Sequence, residues 1–119
     1  MSIPVAIDEI RAAAEDQTGF AYLLTVSDDG RPHAVAITPA FADEGLVCPV
    51  GRTSAANATD RPNVSLVWPP AVPGDYSLIV DGTATVAGTT VTVHPTGAVR
   101  HRPAPGGGND CVRLDRPSP

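Results

Sequence analysis

Between Val5 and Asp16 the apolar positions Ile7, Ile10 and Ala14 recur at helical spacing around the run Ala12-Ala13-Ala14, so the chain is predicted to open on one short helix. Gly19 ends that pattern. Phe20-Ala21-Tyr22-Leu23-Leu24-Thr25-Val26 is then rich in aromatic and branched residues, which favours a strand. Asp28-Asp29-Gly30-Arg31-Pro32 supplies turn residues before strand character resumes from His33 to Ile37, so this pair reads as a β-hairpin. A further turn at Asp43-Glu44-Gly45 leads into Leu46-Val47-Cys48-Pro49-Val50, a strand whose proline points to an edge or a bulge.

Gly51-Arg52-Thr53-Ser54-Ala55-Ala56-Asn57-Ala58-Thr59-Asp60 places hydroxyl residues ahead of alanines, as at the start of a helix, and Arg61-Pro62 stops it. Asn63-Val64-Ser65-Leu66-Val67-Trp68 alternates polar with apolar and closes on Pro69-Pro70. The longest strand signal runs from Tyr76 to Ala87, with Gly82 where a coiled barrel strand would bend. Val91-Thr92-Val93-His94 follows a Gly88-Thr89-Thr90 turn, and Gly97 to His101 can extend the pairing. The helical segments do not alternate with the roughly five or six strands, so the pattern predicts a partly open antiparallel barrel rather than a parallel sheet. One mainly β domain with one or two short helices is expected over 1–102, followed by a Pro- and Gly-rich tail at 103–119.

With 119 residues the chain has room for one ordinary domain. Its apolar runs fall far short of the ~20 residues that cross a bilayer, and Met1-Ser2-Ile3-Pro4-Val5 lacks the basic start and apolar core of a secretory signal, so a cytoplasmic protein off the membrane is expected. A net charge of −5 argues against nucleic-acid binding. The basic residues are all arginine, so any anion site must use arginine, hydroxyl or backbone N–H groups. The two cysteines, Cys48 and Cys111, have neither zinc nor redox spacing and are expected to be reduced and unbonded to each other. His94 and His101 show no metal-ligand spacing, and no metal is expected.

The ordered set Phe20 to Val26, Asp29-Gly30-Arg31-Pro32-His33, Asn57, Arg61-Pro62-Asn63-Val64-Ser65-Leu66-Val67-Trp68-Pro69 and Gly82-Thr83-Ala84 resembles the pyridoxamine 5'-phosphate oxidase-like split barrels. The resemblance runs from about Ile7 to Arg102. It implies an antiparallel split β-barrel that forms a homodimer, with FMN, or alternatively F420, in a groove between subunits. Such a location is physically sensible, because a small barrel has little interior volume whereas a two-fold interface supplies two equivalent clefts.

The resemblance places the flavin phosphate at Arg52, Thr53 and Ser54. Arginine can pair bidentately with phosphate, hydroxyls can donate, and the first N–H groups of a helix add anion affinity. The competing reading is that Thr53 or Ser54 caps the helix while Arg52 is solvated. Where the family commonly carries an arginine early and a lysine late on the second strand, this sequence has His33 and Thr38. His33 is then a cofactor contact or a surface residue, and Trp68 either stacks on a ring or packs in the core or dimer interface. The implied activity is a flavin-dependent oxidoreductase whose catalytic residues and substrate the sequence does not name, since the cofactor carries the redox chemistry. The alternatives are a non-catalytic dimeric binder of flavin, haem or another planar ligand, and a barrel without a cofactor.

Overall fold

The computed structural model describes residues 1–104; Cys111 and nearly all of the expected tail lie outside the described residues. In chain order the elements are β1 (Ser2–Pro4), a 3-10 turn (Ile7–Glu9), α1 (Ile10–Glu15), β2 (Ala21–Val26), β3 (Pro32–Ile37), β4 (Ala40–Ala42), β5 (Gly45–Pro49), α2 (Arg52–Asp60), β6 (Asn63–Trp68), β7 (Ser77–Ala87) and β8 (Thr90–His101). The strands form one antiparallel sheet of eight in the order β3-β2-β6-β7-β8-β5-β4, with β1 added against β8. This is a split β-barrel with two short helices, the architecture that the sequence pattern predicts.

Strict alternation drives the sheet to coil. Ala21, Leu23 and Thr25 of β2, Val64, Leu66 and Trp68 of β6, Leu78 and Val80 of β7, and Val91 and Val93 of β8 are buried on one face. Period-2 sequences bury one face only, so closure of that face around a shared core is the stable solution. Helix α1 contributes Ile10, Ala13 and Ala14 to the core, and α2 contributes Ala55 and Ala58.

The strand count exceeds the expectation because β1 and β4 have only three residues each, and β1 is wholly exposed. Such strands exist through pairing with β8 and β5 and leave no alternation to read. The opening helix is correspondingly shorter than 5–16. Conversely, β8 runs unbroken through Pro95 and Gly97. The register slips there, with Asp81 opposite Gly97 and Gly82 opposite Pro95. A Cβ on Gly82 would stand 2.6 Å from the His94 carbonyl oxygen, so the strand can pass this point only as glycine. Pro49 lies beyond the last β5 residue that β4 pairs, leaving an open flank at the proline.

Candidate phosphate cradle and outer groove

Helix α2 begins without a side-chain cap. Its N-cap residue is Gly51 in extended conformation, and neither Thr53 nor Ser54 supplies the capping hydrogen bond. The first bond of the helix runs from the Ala55 N–H to the Gly51 carbonyl at 3.1 Å, so the N–H groups of Arg52, Thr53 and Ser54 precede it. Arg52 and Thr53 are exposed, and Arg52 makes no ion pair among the described residues. Ser54 is buried. A guanidinium, a hydroxyl and unused N–H groups thus share one exposed helix start, the donor set that binds a phosphate monoester or diester.

The other expected site residues are dispersed. His33 is half-buried and stands opposite Thr25 in the β2–β3 ladder, while Thr38 lies just past the other end of β3 and is exposed. Five residues of extended strand separate them by roughly 17 Å, so the two cannot touch the same phosphate group. Trp68 sits in the core, its ring stacked on Phe41 with centroids 6.4 Å apart.

The opposite, outer face of the sheet carries a feature that the sequence did not single out. Ala36, Tyr22, Val67, Ile79 and Val99 stand side by side across five strands, none of them fully buried. The neighbouring row is Ala34, Leu24, Ser65, Asp81 and Gly97. Beside it lies a groove of about 360 Å³ with Leu24, Val26 and Pro32 as apolar walls and Asn63, Ser65 and Asp81 as polar floor. Ser65 donates its hydroxyl to Asp81 Oδ1 at 2.6 Å. Only the strand register, known once the fold is known, brings these residues together.

The remaining histidines hold structure. His94 Nδ1 is 2.6 Å from the Glu44 carbonyl oxygen and Nε2 is 3.0 Å from Thr85 Oγ1. A carbonyl only accepts, so Nδ1 carries the proton and the ring ties the β4–β5 turn to β7. His101 Nδ1 meets Ser2 Oγ at 2.9 Å, joining β8 to β1. Among the described residues no group of His, Cys, Asp or Glu is arranged to hold a metal ion. Burial pushes the Cys48 thiol up to about 12, so it stays protonated and inert at neutral pH. No described helix is long and apolar enough to cross a membrane.

No protein-family model matches the chain. An uncharacterized protein of Mycobacterium bovis and one of Mycobacterium tuberculosis are each 42% identical over 86 residues, which take in 61% of this chain; the chain spans 58% of the length of these curated relatives. Solved structures share the fold, among them the following three. A pyridoxamine 5'-phosphate oxidase-like protein from Listeria innocua superposes with a TM-score of 0.65 at 18% identity, over 78% of this chain and 95% of that one. An FAD binding protein from Mycobacterium smegmatis gives 0.59 at 18% identity, over 86% and 100%. An F420 reductase gives 0.57 at 19% identity, over 72% and 93%. The chain therefore has the fold of the pyridoxamine 5'-phosphate oxidase-like split barrels. The recognition that the ordered motifs suggested is consistent with these neighbours.

Proposed function

We propose that this chain is a flavin-binding split-barrel protein that works as an FMN- or F420-dependent oxidoreductase. In this reading Arg52, Thr53 and the N–H groups opening α2 hold the cofactor phosphate, and a second copy of the chain encloses the ring. The observation that carries it is the uncapped start of α2 beside the Arg52 guanidinium, which makes no ion pair among the described residues. A side-chain cap would have taken up one of the donors of this first turn. The structural neighbours named for F420 and FAD support the ligand class at a coarse level. When bound, the cofactor would supply the redox chemistry, and the protein would bind it and exclude water.

The outer row from Tyr22 to Val99 supports the homodimer, since a second copy would cover side chains that a single barrel leaves in water. Binding without catalysis is the second reading, and the neighbour named as an FAD binding protein, wholly covered by this chain, favours it.

The absorbance spectrum of freshly purified protein, followed by titration with FMN, FAD and F420, tests the proposal. Oxidised-flavin bands or saturable binding are expected. A colourless protein that binds none of them would overturn both readings. Tight binding with no turnover of any electron donor or acceptor would leave the second.

A further inference from the structure

The outer groove has a chemistry of its own. Among the described residues Asp81 is the only charged side chain along it, and neither arginine nor histidine lines it. An anionic ligand would meet an unopposed carboxylate there. Ser65 occupies Oδ1 and fixes the group in place, while no described side chain engages Oδ2. Asn63 stands two residues before Ser65 on β6, and the alternation of the strand puts its side chain on the same outer face. The groove therefore offers a pinned acceptor and an amide donor on adjacent strands, on the outer face of the sheet and between apolar walls.

We propose that this groove reads the amide edge of a planar, uncharged ring, with Asp81 as the residue that sets specificity. A ring N–H donates to Asp81 Oδ2, the carbonyl beside it accepts from the Asn63 side chain, and Leu24, Val26 and Pro32 cover the apolar part. The proposal rests on the flavin reading, because the imide of a flavin ring has such an edge. It adds that the ring must enter neutral and with that N–H free. An anionic ring, or one blocked at the nitrogen, is disfavoured by the lone carboxylate.

Riboflavin and its N3-methyl derivative, neither of which carries a phosphate, separate this edge from the rest of the cofactor. Titrated into the wild-type protein, riboflavin is expected to bind about tenfold to hundredfold more tightly than the methylated ring, the range of one charge-assisted hydrogen bond. In Asp81→Asn the Ser65 hydroxyl still needs an acceptor, so the amide turns its NH2 toward the ring; the preference should fall to about one. Asp81→Ala should lose it likewise, and a circular-dichroism melt checks that both variants fold. Equal affinity of the wild type for the two rings, or an unchanged preference in both variants, would overturn the proposal while leaving a flavin site intact. A change confined to the dimerisation constant would assign Asp81 to subunit contact and also overturn it. If no flavin binds at all, this inference falls together with the reading it rests on.

Discussion

Asn57 donates its side-chain amide to the Thr25 hydroxyl at 3.1 Å, and both residues are buried where α2 packs on β2. With the Arg61 guanidinium at the helix C-cap, which donates to the Val26 carbonyl at 2.6 Å, this buried bond ties α2 to β2 and so helps set the direction in which its donor-rich start points.

Removing one partner leaves the other in an apolar setting. Asn57→Ala should cost about 1–3 kcal/mol, whereas the double variant Asn57→Leu with Thr25→Val should cost less than the two single changes together. Urea unfolding of the four proteins measures the coupling. Strict additivity would show that the bond does not hold the helix.

Arg52→Ala should weaken FMN binding about tenfold to hundredfold, with Thr53→Ala costing less. Riboflavin is the internal control, since it has no phosphate and its affinity should hardly change. Equal weakening of both ligands would mean that Arg52 supports the fold or the dimer. Unchanged FMN affinity would put the phosphate elsewhere.

Ile79 lies in the outer apolar row, between Val67 and Val99. Light scattering at micromolar concentration should return about twice the chain mass of 12.2 kDa, and Ile79→Asp should return the single mass. A wild-type mass near that of one chain would refute the dimer.

The raised pKa of Cys48 has a pH signature. Its thiol stays protonated in the folded state up to about 12, while the unfolded thiol ionises near the ordinary value of 9.0. The unfolded state then binds fewer protons, so stability is full below pH 9.0 and declines as pH rises toward 12. Cys48→Ala should show a shallower alkaline decline than the wild type in parallel denaturant titrations. Native Cys48 should also resist a thiol reagent that modifies it readily after unfolding.

Gly82→Ala should destabilise the barrel by about 1–3 kcal/mol, because the added methyl meets the His94 backbone and Val93 Cγ1 with no room to move. A thermal melt reads the loss. A neutral outcome would mean that the register slip at Asp81 and Gly82 can absorb a side chain.

Alternation made β6 legible from the sequence, and aromatic and branched content made β2 and β7 so, because each strand packs one face on the core and leaves the other less buried. The glycine bend at Gly82 was legible for the same reason: little else explains a glycine inside so strong a strand signal. Strands β1 and β4 were not legible, since three residues hold no period and their existence depends on partners distant in the chain. At the site, the helix start at Arg52 and Thr53 was legible from residue order, whereas its reading as a phosphate site came from the family resemblance. The groove around Asp81 could not, because Ser65 and Asp81 lie sixteen positions apart and meet only through the β6–β7 register.

The β7–β8 hairpin pairs all eleven residues of β7 around a tight turn at Gly88, whereas β1 reaches β8 by pairing Ser2 with His101. Closing the first contact orders a handful of residues; closing the second orders nearly the entire described chain. Loop-closure entropy therefore favours the hairpin as an early folding unit and leaves β1 to dock last. Its amides should exchange with solvent deuterium ahead of those at the centre of β7, giving the sheet one seam that opens while the rest of the barrel stays closed.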